Sequence, residues 1–133
     1  MPWVGHRGPV SDAKCVDVAF PELEEHPVEP VAVLVTHRTR AGQRAAVRAV
    51  WEKHMAPAVT ANPGHLAYTY CFDDADPDVI CAFQIYRDVD EATAFQHTCA
   101  YAAYEAAVAP LLTGAPSVQR LTPVWAKAGG AAG

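Results

Sequence analysis

Hydrophobic and polar positions are most sharply patterned between Asn62 and Asp88. Two runs rich in aromatic, Val, Ile and Thr residues, His65–Phe72 and Val79–Tyr86, flank a polar stretch, Asp73–Asp78. That stretch holds Pro77 and four carboxylates, Asp73, Asp74, Asp76 and Asp78, which stop strands and suit tight turns. The pattern predicts a β-hairpin. Asn62-Pro63-Gly64 stops the element before it, and Asp88-Val89-Asp90-Glu91 starts a helix after it.

Val31–Arg38 predicts a strand that is apolar on both faces up to Thr36, as a strand covered on both sides is. Ala41-Gly42 ends it. Gln43–Ala61 has helical spacing: Val47, Val50, Trp51, His54 and Ala58 form one stripe, with Arg44, Arg48 and Glu52 outside it. Pro57 lacks a backbone donor, so a kink or restart is expected near Ala56. Asp90–Leu112 predicts a second helix, capped by Asp88 or Asp90, with Glu91 suited to its positive end. If that helix is continuous, His97, Tyr101, Tyr104, Val108 and Leu111 share a face. Gly114 and Pro116 end it, and Ser117–Trp125 reads as a last strand whose Pro123 marks an edge or a strand end.

The order is β-α-β-β-α-β. It predicts an α+β, ferredoxin-like domain over residues 31–125, an antiparallel sheet with both helices on one face. The other face carries Ala32, Leu34 and apolar hairpin positions, and a second copy of the chain is the economical cover for it. Residues 1–30 hold Pro2, Pro9, Pro21, Pro27 and Pro30, which prevent a long helix. They read as an N-terminal arm, either a partly ordered tail or a segment laid over a partner subunit, with a short extra strand at Lys14–Phe20. Residues 126–133 read as a flexible tail.

Composition narrows the partners. The chain has 133 residues, 51% of them hydrophobic, and a formal net charge of −5. One domain is expected. Nucleic acid is not an expected partner, because phosphate binding needs clusters of Lys and Arg. No apolar run reaches the roughly 18 residues that span a bilayer. No signal-peptide pattern is visible, so a cytoplasmic protein is expected. The four cysteines, Cys15, Cys71, Cys81 and Cys99, lack CxxC spacing and are expected as free thiols; Cys71 and Cys81 lie on the two hairpin strands and can approach each other.

Arg40-Ala41-Gly42, Asn62-Pro63-Gly64, Tyr68-Thr69-Tyr70, Asp76-Pro77, Tyr86-Arg87-Asp88 and Ala109-Pro110-Leu111-Leu112 follow one another in an order and spacing that resemble the antibiotic biosynthesis monooxygenase domain family. The resemblance covers about Val31 to Trp125. It implies a dimeric α+β barrel with its pocket between sheet and helices. It also implies a choice of activities: oxygenation of quinols and anthrones without metal or flavin, or haem degradation. Many members of the family carry a Trp where this chain has Tyr86, and the haem-degrading branch adds an Asn where it has Val35 and a His where it has Phe95. His97 lies two residues beyond Phe95, about 160° around a regular helix, and the apolar face with Tyr101 and Tyr104 favours His97 as the pocket residue.

The expected function is therefore cofactor-independent oxygenation of an aromatic quinol- or anthrone-type small molecule by dioxygen. That chemistry needs a base, a dry cavity and donors for the developing anion. His97 and His37 are the candidate bases. Tyr86, a third candidate catalytic group, and Gln84 are candidate donors. Val33, Val35, Trp51, Phe95, Tyr101 and Tyr104 are the candidate walls. Each of these side chains also has an ordinary structural reading, as core packing or as a hydrogen-bonded histidine. No cofactor is expected, and no metal: the six histidines include no HxH or HExxH pair, although a set from His37, His54 and His97 stays open. Two other classes stay open as well, a small-molecule binding protein without turnover and a polyketide-type cyclase or isomerase.

Overall fold

The computed structural model describes residues 29–127. Of the arm expected over residues 1–30, residues 1–28, with the strand expected at Lys14–Phe20, lie outside the described residues, as do residues 128–133 of the tail expected over 126–133. The elements are β1 (Val31–Arg38), α1 (Arg44–Ala61), β2 (His65–Phe72), β3 (Val79–Tyr86), α2 (Val89–Phe95), α3 (Cys99–Val108) and β4 (Ser117–Leu121), with a 3-10 turn at Ala109–Leu111 before β4. The sheet is antiparallel with strand order β2-β3-β1-β4. This is the ferredoxin-like α+β arrangement expected from the sequence.

The register sorts the side chains. Val31, Val33, Val35 and His37 stand opposite Tyr86, Gln84, Ala82 and Ile80, so all eight point to one face. The core lies on that face: Val31, Val33, Val47, Met55, Ile80, Tyr86, Phe95, Tyr104, Val108 and Leu112 are buried together. On the opposite face, Leu34, Phe83 and Ile85 are half-buried and Leu121 is exposed.

Three local expectations are corrected. First, α1 does not restart near Ala56: it continues past Pro57 as one helix of 18 residues. Pro57 and Lys53, the residue whose carbonyl loses a donor, are both exposed, so water can satisfy that carbonyl. Second, the second helix is not continuous. Asp88 accepts the Glu91 N–H at 2.9 Å and caps α2. Thr98 then interrupts the run: its hydroxyl donates to Phe95 O at 2.8 Å and accepts the Tyr101 N–H at 3.3 Å, which caps α3. Third, the last strand stops at Leu121, two residues before Pro123.

The thiols also differ from expectation. Cys71 and Cys81 face each other across β2 and β3 and are free. Cys99 is disulfide-bonded, so the expectation of four reduced thiols fails; Cys15 lies outside the described residues. Motif spacing reports on bridges closed within one short segment, and the bond at Cys99 does not involve the hairpin.

One arginine fastens the hairpin to α1. Arg44 Nη1 donates to the carbonyls of Asp73, Asp76 and Val79 at 2.9, 2.9 and 3.0 Å. Its guanidinium also lies 4.1 Å from the centre of the Phe72 ring. Substituting Arg44→Met is expected to lower the unfolding free energy by about 2 kcal/mol, read from urea melts, because half-buried carbonyls lose a charged donor. Alkylation of the denatured chain without reductant, read by peptide mapping, is expected to label Cys71 and Cys81 and to label Cys99 only after reduction.

Candidate functional site

The layer between sheet and helices is aromatic, and a bulge in β2 makes it so. His65 stands opposite Tyr86 but Ala67 stands opposite Ile85, so Leu66 is an extra residue. Uninterrupted alternation puts Tyr68 and Tyr70 on the face opposite His65. The bulge reverses that: His65, Tyr68 and Tyr70 pair with Tyr86, Gln84 and Ala82 and share their helix-facing side.

Two clusters follow. In the first, Trp51 of α1 stacks on Tyr70 with ring centres 4.3 Å apart, and its indole N–H donates to the Tyr68 hydroxyl at 3.1 Å. A cavity of about 230 Å³ opens beside this stack, lined by Arg48, Trp51, Glu52, Tyr70 and Phe72. Arg48 and Glu52 pair at 3.0 Å on the surface. In the second cluster, the His65 ring lies 4.3 Å from Tyr86 and 4.7 Å, edge to face, from Phe95. Gln84 Oε1 accepts from the Tyr86 hydroxyl at 2.8 Å and meets His65 Nε2 at 3.0 Å. Phe95 in turn meets the Tyr101 ring at 6.0 Å.

The polar atoms of the layer are few and under-used. Tyr70 and Tyr104 hydroxyls and His37 Nδ1 are sealed from solvent without a hydrogen-bond partner. His37 and Tyr104 rings stand 6.4 Å apart. Burial lowers the His37 pKa from 6.5 to about 4, so the imidazole is neutral at pH 7. Burial also lowers that of His65. Tyr68 is raised to about 12 by burial, partly offset by the Trp51 hydrogen bond, and burial raises Tyr70, Tyr86, Tyr101 and Tyr104 further. The tyrosines are therefore neutral hydroxyls, able to donate to an anion.

Comparison with known proteins meets this geometry. The family model for antibiotic biosynthesis monooxygenase matches residues 30–107, more than half of the chain. The chain belongs to that family. Among solved structures, Rv0793 from Mycobacterium tuberculosis is similar at 26% identity and a TM-score of 0.66, over 74% of this chain and 99% of that one. A candidate antibiotic biosynthesis monooxygenase from Caulobacter crescentus CB15 matches at 22% identity and a TM-score of 0.69, over 74% and 92%. NE2512 from Nitrosomonas europaea, a protein of unknown function, matches at 23% identity and a TM-score of 0.66, over 76% and 95%. No curated protein matches the chain in sequence.

Within this monooxygenase-family fold, Val33, Gln84, Tyr86, Phe95, Tyr104 and His37 are buried in the layer, and Val35, Trp51 and Tyr101 pack against it. His97 is not in it. It is exposed in the turn between α2 and α3, while Phe95 is 4% exposed and inside. The preference for His97 over Phe95 assumed one helical phase, and the Thr98 cap breaks that phase. The described cavity shares only Trp51 with the expected lining. Among the described residues no group of three His, Cys, Asp or Glu side chains is placed to hold a metal ion. Four layer residues were missed. His65, Tyr68 and Tyr70 hang on a bulge that alternation does not reveal. Asn62 reads in sequence only as a helix stop.

A buried neutral histidine makes stability depend on pH. The unfolded chain protonates His37 near 6.5 and the folded chain only near 4, so the unfolded state binds more protons between those values. Stability is therefore expected to fall as pH drops from about 6.5 to 4, with His65 adding in the same direction. Urea midpoints measured across that window should show a shallower slope for His37→Asn than for the native chain.

Proposed function

We propose that this chain binds a flat aromatic small molecule between sheet and helices and oxygenates it with dioxygen, using no metal or flavin. Membership of the monooxygenase family supports the reaction class. The observation that carries the site is the set of three sealed, unpartnered polar atoms, His37 Nδ1, Tyr70 OH and Tyr104 OH, in an otherwise aromatic and aliphatic layer. Buried polar atoms without partners are rare in folded proteins. A phenolic or keto-aromatic ligand would supply the missing partners and fill flat apolar walls.

For an anthrone-type substrate the chemistry balances as follows. His37 Nδ1 takes a proton from the methylene that lies across the central ring from the carbonyl, and Tyr104 and Tyr70 are the donors nearest in kind to stabilise the resulting enolate oxygen. The carbanion passes one electron to dioxygen and the radical pair joins as a C–O bond. Loss of water from the hydroperoxide leaves a second carbonyl. One oxygen atom enters the quinone, the other leaves as water, and the methylene carbon loses four electrons. An imidazole of low basicity holds the proton only while an anion lies beside it, which ties proton removal to bound substrate. Tyr86 and Gln84 complete the polar wall, with Val33, Val35, Trp51, Phe95 and Tyr101 as apolar surface.

A second reading is binding without turnover. The observation that favours it is the weak basicity of His37 together with the exposure of His97. Oxygen uptake with anthrone and no added flavin separates the two. Uptake that falls by ~10²-fold in His37→Ala supports the oxygenase. Binding with no uptake favours the second reading, and product formed without oxygen favours a cyclase or isomerase.

The proposal includes a homodimer joined through the sheet face of Leu34, Phe83 and Ile85. The support is the half-buried apolar character of that face in a single chain. Light scattering at micromolar concentration should give twice the chain mass; a monomer alone rejects this part.

A further inference from the structure

We propose that Asn62 and His65 are positioning residues that fix which way Gln84 faces, so that the site recognises a ligand oxygen acceptor at Gln84 Nε2. This rests on the reading of the layer as a small-molecule site and names what that site selects.

Side-chain amides and imidazoles can be turned around without changing shape, so a network of them has two self-consistent polarities. A backbone N–H cannot be turned around. The Gly64 N–H donates to Asn62 Oδ1 at 3.2 Å. That places Asn62 Nδ2, a donor, toward His65 Nδ1 at 2.9 Å. Nδ1 must therefore accept, and the proton of the neutral ring sits on Nε2. Nε2 donates to Gln84 at 3.0 Å, which requires Oε1 there, and the Tyr86 hydroxyl donates to the same oxygen at 2.8 Å. Each link leaves one choice for the next.

The consequence falls on the other end of the Gln84 amide. With Oε1 held by two donors, the Nε2 hydrogens project away from His65 and Tyr86. Gln84 is 6% exposed, and its side-chain hydrogen bonds to the described residues are the two made at Oε1. The face that Gln84 shares with Val33, Tyr68 and Tyr86 is the face that meets the helices. An amide donor that the protein leaves without an acceptor is a recognition element for a carbonyl or phenolate oxygen. Gly64 is itself pinned: a Cβ there would collide with the Glu91 side chain, and its carbonyl accepts the Arg87 N–H at 2.8 Å. The anchor of the polarity is thus a backbone group locked between β2 and α2.

Two readouts test this on the full chain. Long-range proton–nitrogen NMR at pH 7 should show His65 protonated at Nε2 and bare at Nδ1; the reverse pattern overturns the proposal. In Asn62→Asp the carboxylate keeps the Gly64 N–H and presents an acceptor to the ring, so Nδ1 should gain a proton. An unchanged Nδ1 also overturns it.

Calorimetry with 1-tetralone and with tetralin, the same skeleton without oxygen, reads the ligand side. The native chain should prefer the ketone by roughly tenfold, the worth of one good hydrogen bond. Asn62→Ala should cut that preference to about twofold while leaving tetralin affinity unchanged, and Gln84→Glu should abolish it. Equal weakening of both compounds in Asn62→Ala marks a merely structural role and rejects the proposal. Equal native affinity for the two compounds rejects it while leaving the small-molecule site intact. If neither compound binds the native chain, the site reading itself fails, and the NMR result still decides the polarity of the network.

Discussion

The extra residue at Leu66 is the constraint on which the interior depends. Side-chain direction in a strand has a period of two, so one inserted residue turns everything on one side of it over. Here it lets His65 and the Tyr68–Tyr70 pair meet the helices together. Remove it and either the histidine or both tyrosines turn to the other face of the sheet. In the first case Gln84 would lose a donor; in the second Trp51 would lose its stacking partner and its hydrogen bond at once. The aromatic layer is a property of register as much as of composition.

That layer is electrically quiet. Burial holds its histidines neutral and its tyrosines protonated, for the same physical reason acting with opposite sign on bases and acids. The charges, Arg48, Glu52 and the Arg38–Asp76 pair, stay at the surface. A charge created in the layer therefore interacts with oriented hydroxyl and amide dipoles rather than with fixed ions, and little water reorganises around it. Such a setting favours a delocalised organic anion over a compact one.

The strands were readable because their signals are local. Val31–Arg38, His65–Phe72 and Val79–Tyr86 are bounded by Gly, Pro and Asp at both ends, and the observed limits match. The family likeness rested on the same punctuation. The second helix was less readable because Thr98 lies between two stretches of helical spacing, where a threonine reads as a tolerated interior residue. It is a cap only because its hydroxyl serves the carbonyl behind it and the amide ahead of it. From that one misreading the choice between Phe95 and His97 went wrong. His65 was hidden for another reason. A bulge leaves no mark in the hydrophobic pattern when the residues on both sides of it are apolar or amphipathic.

The short last strand has a bearing on how the protein behaves in a crowded solution. β4 closes one edge of the sheet with five exposed residues, Ser117, Val118, Gln119, Arg120 and Leu121, and the chain reaches Pro123 two residues later. An open edge invites other chains to add strands without limit. A brief edge bearing an arginine and a glutamine offers few consecutive backbone groups, and proline cannot extend the ladder. The opposite edge, β2, is broken by its bulge. The sheet is thus poor at templating further growth from either side, and a crowded solution finds no ready strand to extend.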